Sequence, residues 1–174
     1  MNAVLELPLE TASPSLNQTD FVDHIIDVFQ DKMLSDYRVN RFFNNRTASE
    51  QSLPLKNLVK AALSARRDTD WSELLDAYFM ANFARGNSKP SLVTGNDFMF
   101  LLDVIGGEEP MKPEPLCDNH SFLLKLLPND SHYDVALEHL AATLRETNAS
   151  SALSQQLTQL ATKARKGLLG RGRN

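Results

Sequence analysis

Hydrophobic residues recur at intervals of three and four along most of the chain, with polar residues between them. This spacing predicts amphipathic helices, because side chains three and four positions apart share one face of a helix. In the first such segment Phe21, Ile25 and Phe29 align, and Thr19 or Asp20 precedes them as the expected N-cap. No stretch alternates convincingly with period two, so we predict no β-strand.

The same pattern, interrupted by proline, glycine and asparagine, predicts about eight helices. They are expected at about 21–34, from 35 to 43, twice within 47–92, at 95–105, at 116–127, from 130 to about 147, and from Asn148 or Ser150 to about 168. Asp70 followed by Glu73 resembles a capping box. We therefore expect one all-α domain over 19–172, preceded by a flexible arm over 1–18.

Composition narrows the class of protein. With 174 residues, 42% of them hydrophobic and 23% charged, the chain fits one globular domain. Only 7 glycines argue against all-β folds, and a single cysteine excludes an intrachain disulfide and any multi-cysteine metal site. The net charge of −4 gives no sign of nucleic-acid binding. Neither a membrane-spanning apolar run nor a secretory signal pattern is present, so we expect a cytoplasmic protein without membrane partners.

The motifs of common hydrolases, phosphate-binding loops and dinucleotide-binding folds are absent, and the sequence leaves open whether the protein is an enzyme. His120 is the most suggestive single residue, because Leu116 and Leu124 flank it at helical spacing. An imidazole in an apolar wall suits the axial ligand of a haem iron. The alternative is a histidine paired with Asp118 or with a backbone carbonyl, and the residues around it favour that alternative.

Other titratable residues have simpler interpretations. Cys117 stands close to His120 in sequence, but no third partner for a nucleophile or a metal is in view, so a buried structural thiol is expected. His132 and His139 are seven residues apart, too far for one metal ion, and a solvated or capping role is expected for them. The bases near the C-terminus, from Lys163 onward, are expected to complement the dipole of the last helix.

Three stretches occur in a characteristic order: Val28 to Phe43, with Arg41-Phe42-Phe43 at its end; Phe98 to Gly107; and His132 to Glu146. In this order and spacing they resemble the truncated (two-over-two) globins, most nearly their first group. The last helix, ending near Arg171, continues the likeness. The resemblance implies a globin-like helical domain that holds haem b and binds a diatomic gas, O₂ or NO, for sensing or for NO/O₂ chemistry.

The resemblance also implies the residues of the haem site. His120 lies thirteen residues after Gly107, where the family carries its proximal iron ligand. The other residues expected at the cofactor are Phe29, Gln30, Phe43, Asp97, Phe100, Leu101 and Leu127. Among them, Phe43 matches the phenylalanine that stacks on the porphyrin, and Gln30 takes the place of the family's distal tyrosine.

Several departures from the family pattern support a second hypothesis. The distal tyrosine is absent, Asp97 stands at the next distal polar position, and the distal helix is short. In addition, about 47–92 is an insertion that carries two extra helices on the distal side. These features are those expected of a globin fold without haem that works as a regulatory or protein-interaction module. In that case the inserted helices would cover the pocket or present a surface to a protein partner.

Overall fold

A computed structural model of the chain describes residues 16–64, 68–85 and 113–171. All regular secondary structure in these ranges is helical, which confirms the all-α class. The helices are α1 (Leu16–Ser35), a 3₁₀ turn (Asn40–Phe42), α2 (Ala48–Ser64), α3 (Trp71–Phe83), α4 (His120–Leu124), α5 (Asp130–Glu146) and α6 (Ser151–Leu168). None of the helices within these ranges has the length and apolar character needed to cross a membrane.

Side-chain caps fix the starts of three helices where the sequence predicted them. Asp70 accepts a hydrogen bond from the backbone N–H of Glu73 over 3.1 Å at the start of α3. Asn129 and His132 form a reciprocal capping box at the start of α5. The Ser150 hydroxyl accepts from the Leu153 N–H over 3.1 Å at the start of α6. Each cap satisfies an N–H that the first turn of a helix leaves unpaired.

Helix α1 begins at Leu16, earlier than the cap at Thr19 or Asp20 that the sequence predicted. The helix therefore includes residues 16–18 of the predicted arm, and the rest of the arm lies outside the described residues. Between Ser15 and Ser35 the sequence has neither proline nor glycine to stop a helix. Gln18, Thr19 and Asp20 are exposed, so their polar side chains cost nothing in the first turns.

Two predicted helices are shorter in the structure. The one expected over 35–43 is a single 3₁₀ turn, because the Asp36 carboxylate accepts the Arg38 N–H over 2.8 Å and holds a turn there. The one expected over 116–127 is limited to α4, since the Leu116 N–H donates to a side chain and Leu127 adopts a left-handed backbone with φ of 56°. The helix predicted over 95–105 lies outside the described residues.

Two apolar clusters hold the helices together, and α1 and α5 contribute to both. The first joins the end of α1 to the 3₁₀ turn, α3, α4 and α5; its buried members are Met33, Val39, Phe42, Phe79, Phe83, Leu123 and Val135. The second joins the start of α1 to the end of α5 and to α6 through Val22, Ile25, Ile26, Leu144, Leu153 and Leu157. Within the predicted insertion, α3 contributes the buried Phe79 and Phe83 to the first cluster, and α2 packs partly buried Leu55, Val59 and Leu63 against the second. The two helices are therefore part of the core.

Candidate functional site

His120 is fully buried at the start of α4, and both of its ring nitrogens are hydrogen-bonded to the backbone. Nδ1 accepts from the N–H of Leu116 over 2.9 Å, and Nε2 lies 2.9 Å from the carbonyl oxygen of Leu168. A backbone N–H can only donate and a carbonyl oxygen can only accept. The ring proton must therefore sit on Nε2, and the geometry selects one tautomer of a neutral imidazole.

Burial keeps His120 in that neutral form, and stacking on a neighbouring ring fixes its orientation. The ring of Phe79 on α3 lies parallel to the imidazole, with centroids 4.2 Å apart and an angle of 18° between planes. Burial lowers the pKa of His120, because a charged imidazolium loses its hydration in an apolar wall. A second ring proton on Nδ1 would also face the N–H of Leu116, so protonation breaks that hydrogen bond.

This arrangement does not fit haem b with His120 as its axial ligand. An iron ligand needs a nitrogen lone pair that is free of a proton and of a donor. Nδ1 already accepts a hydrogen bond, and Nε2 carries the proton given to Leu168. Within the described ranges no three histidine, cysteine or acidic residues stand close enough to hold a metal ion.

The Cys117 thiol interacts with α3, while the backbone carbonyl of this residue accepts the N–H of His120 over 3.2 Å. Its thiol donates to the carboxylate of Asp76, which also accepts from the backbone N–H and side-chain amide of Asn119 over 3.1 and 2.9 Å. Burial raises the pKa of the thiol, which disfavours the reactive thiolate. The structure therefore supports the predicted structural role of Cys117, as an anchor of the α4 segment on α3.

A cavity of about 470 Å³ lies among the helices and forms the candidate binding site. Its walls come from the six helices α1 to α6 and the 3₁₀ turn, with Leu123 as the contribution of α4, and most of the residues that line it are apolar. Representative wall residues are Met33, Leu58, Tyr78, Leu137 and Leu160. The volume is in the range of sites that bind small organic molecules. We refer to this space as the interhelical cavity.

Three of the residues predicted to contact a cofactor, Phe29, Gln30 and Phe43, line the interhelical cavity together. His120 is buried outside its lining, behind the hydrogen bonds described above. Leu127 is 58% exposed and points away from the core, because its left-handed backbone ends the segment after α4.

The remaining predicted contacts, Asp97, Phe100 and Leu101, lie outside the described residues.

A buried amide network sets the position of Gln30. Its Nε2 donates to Oδ1 of Asn82 over 2.9 Å, and Nδ2 of Asn82 donates to the backbone carbonyls of Gln51 and Tyr78 over 2.9 and 3.0 Å. Gln51 in turn donates to Asn44. The network ties α1, α2 and α3 together behind the cavity wall, so Gln30 is held as part of the scaffold.

Few polar groups of the cavity wall have capacity left for a ligand. The Tyr133 hydroxyl donates to the carbonyl of Ala161, and burial raises its pKa to about 12. Nδ1 of His132 accepts from the Asn129 N–H over 3.1 Å, so its proton sits on Nε2. Burial lowers the pKa of His132 and keeps this ring neutral as well. Lys163 supplies an ammonium group.

Sequence reasoning missed part of this site. Leu55, Leu58, Val59 and Ala62 form one apolar stripe at helical spacing, and such a stripe looks the same in the sequence whether it faces a packed core or a cavity. Trp71 and Lys163 also line the cavity, and no local pattern distinguishes them from surface residues. Only the relative placement of α3 and α6 brings them to the same space.

Comparison of the sequence with family models and with curated proteins gives no match, and neither does comparison with solved structures.

Proposed function

We propose that this protein is a binding module that takes an apolar small molecule into the interhelical cavity and needs no iron to do so. The cavity itself is the observation that carries the proposal: about 470 Å³ bounded mainly by aliphatic and aromatic side chains. Protein interiors are normally close-packed, and unfilled volume lowers stability by roughly 24 cal/mol per Å³. An apolar ligand would recover part of that loss on binding.

Both ring nitrogens of His120 are already hydrogen-bonded, which supports binding of a ligand without coordination to a metal. A ligand held by apolar contact requires no free lone pair, and the hydrogen bonds to Leu116 and Leu168 stay intact when it binds. His132 is also neutral, so it presents an Nε2–H group to the cavity and adds no second charge to the wall. The wall thus selects chiefly by shape and hydrophobicity.

Trp71 provides a direct test, because it lines the cavity and is the only tryptophan in the sequence. Titration with the neutral fluorophore N-phenyl-1-naphthylamine should quench Trp71 emission by energy transfer and saturate at one equivalent. Bound probe should also raise the melting temperature, since a ligand of the folded state stabilises it by mass action.

The substitution Ala164→Phe places a large ring in the cavity wall and should weaken probe binding by at least tenfold. The matched control is Ala152→Phe, the same change at an exposed position of the same helix. Unsaturable quenching, or equal binding by the Ala164→Phe and Ala152→Phe variants, would contradict the proposal.

Haem binding in a truncated-globin arrangement of these helices is the second candidate. It is favoured by the presence of Phe29, Gln30 and Phe43 in the wall of one cavity, as the resemblance implies. It requires His120 to leave the Leu168 carbonyl and to move its proton from Nε2. Titration with haemin and with iron-free protoporphyrin IX separates the two candidates. A Soret shift seen only with iron and lost in His120→Ala supports haem and diatomic-gas chemistry, whereas equal binding of both macrocycles supports uptake without coordination.

A further inference from the structure

Lys163 stands at the border between the interhelical cavity and the protein surface. It lies on α6 three residues after Leu160 and four before Gly167, and all three residues line the cavity. Lys163 also borders a shallow groove on the outer face of α6 and is exposed. Its aliphatic stem therefore continues the apolar wall, while its ammonium group reaches water at the mouth.

The charge of Lys163 is not neutralised by the fold. Two neighbouring cations, Arg165 and Arg171, bind the carboxylates of Asp130 and Asp134 at the start of α5. Among the described residues, none of the ion pairs involves Lys163. Of the described side chains that line the cavity, Lys163 alone carries a full charge, because His132 is neutral and the wall contains no acidic residue.

We propose that the ligand of the interhelical cavity is an amphiphile with an alkyl tail and a carboxylate headgroup, which Lys163 holds at the mouth. This inference rests on the proposed function and adds the ligand's chemical class. The tail replaces empty apolar volume inside the cavity. The carboxylate stays at the solvent boundary, where it pairs with the ammonium group and avoids the cost of burying a charge.

Three ligands with the same ten-carbon chain test the headgroup: decanoate, 1-decanol and decylamine, each below its micelle concentration at pH 7.5. Binding is measured through the emission of Trp71. Decanoate should bind about three- to fivefold more tightly than decanol, the increment expected for a partly exposed ion pair. Decylamine should bind less tightly than decanol, and the preference for decanoate should shrink as salt is raised.

Two variants test whether the preference for decanoate over decanol depends on Lys163. Lys163→Met keeps an apolar stem and removes the charge, so decanoate and decanol should bind this variant equally. The matched control is Lys166→Met on the same helix, because Lys166 is exposed and does not line the cavity. This control should keep the full preference.

The outcomes distinguish a failure of the headgroup inference from a failure of the proposed function. If decanol and decanoate bind wild-type protein equally, or if the preference survives in Lys163→Met, the headgroup inference is wrong and the cavity remains a site for neutral apolar ligands. If none of the three chains, nor the neutral fluorophore, perturbs Trp71, the proposed function itself is wrong. If decanol binding is lost in Lys163→Met although circular dichroism shows an intact fold, the headgroup inference is again wrong, because the lysine would then serve the cavity's structure and not the headgroup.

Discussion

The Nε2 proton of His120, at the start of α4, is donated to the carbonyl oxygen of Leu168 at the end of α6 over 2.9 Å. This hydrogen bond joins two residues that are 48 positions apart in the sequence. On the other side of the ring, Leu116 donates to Nδ1. The imidazole thus satisfies one orphan N–H before α4 and one orphan C=O at the end of α6.

Replacing His120 by alanine should lower the free energy of unfolding by about 2–4 kcal/mol. The change leaves the part-buried N–H of Leu116 and C=O of Leu168 without the imidazole as partner and removes a fully buried ring that stacks on Phe79. Urea unfolding measures the loss. His24→Ala is the control, since His24 is exposed on α1, and it should change stability by no more than about 0.5 kcal/mol.

Stability should also depend on pH through His120. The pKa of His120 is lowered in the folded protein, so the unfolded chain binds the proton more readily. The contribution of the neutral ring is complete above the unfolded pKa of about 6.5 and is lost as the pH falls toward the lower folded value. Wild-type protein should thus lose more stability than His120→Ala between pH 7.5 and pH 5. Parallel pH profiles of the two proteins would show that His120 is not neutral and buried.

Asn82→Leu should destabilise the protein by about 3 kcal/mol. Asn82 is fully buried, and its removal leaves the Gln30 amide without its Asn82 partner and takes a second, side-chain donor from the carbonyls of Gln51 and Tyr78. Thermal and urea unfolding report the effect. The same substitution at exposed Asn57 on α2 is the control and should be nearly neutral.

A double-mutant cycle with Gln30→Leu tests whether the amides act as one network. The double variant should be less destabilised than the sum of the two single variants, because it removes both partners of the Gln30–Asn82 hydrogen bond. Strict additivity of the two changes would contradict a direct interaction between these side chains.

Two glycines near the C-terminus should respond in opposite ways to alanine. At Gly170 the backbone has φ of +72°, and an added Cβ would lie 2.8 Å from Leu124 and 2.9 Å from Pro113. Gly170→Ala should therefore cost about 2 kcal/mol or more. At Gly167, inside α6, the nearest atom would be a Leu116 methyl at 3.4 Å, an ordinary contact.

Gly167→Ala should be neutral or stabilising by up to about 1 kcal/mol, since alanine favours a helix more than glycine does. Differential scanning calorimetry of the pair gives the ranking. A Gly170→Ala variant as stable as the Gly167→Ala variant would contradict the left-handed turn after α6.

Asp36 should titrate well below an ordinary aspartate. Arg38, through its guanidinium and its backbone N–H, holds the pKa of Asp36 far down, and His139 on α5 adds a further hydrogen bond over 2.7 Å. The stabilisation from this carboxylate is present above the unfolded pKa near 3.9 and is lost as the pH falls toward the lower folded value.

Carboxyl-carbon NMR titration measures this pKa directly. Arg38→Gln should raise it, because the strongest donor is removed. An unchanged Asp36 titration in Arg38→Gln would contradict the assigned ion pair.

The sequence predicted local features well because local interactions create them. The caps at Asp70, Asn129 and Ser150 each join residues three apart, so they are visible in the chain itself. The stripe of α5 and the pair of helices within 47–92 follow from periodicity in the same way. The helix predicted over 35–43 was too long, and only a 3₁₀ turn at Asn40–Phe42 forms. The Asp36 carboxylate accepts the backbone N–H of Arg38, two residues further on, and so competes with helix formation.

The sequence by itself determined the all-α class, predicted the approximate starts of three helices and indicated His120 as a histidine in apolar surroundings. Only the tertiary structure decided that His120 faces two backbone groups instead of a free space, and that Lys163 and Trp71 share a cavity wall with Gln30. Both decisions depend on contacts between residues tens of positions apart. The physical reason is that a helix fixes which side chains share a face, whereas the packing of helices against one another fixes what that face meets.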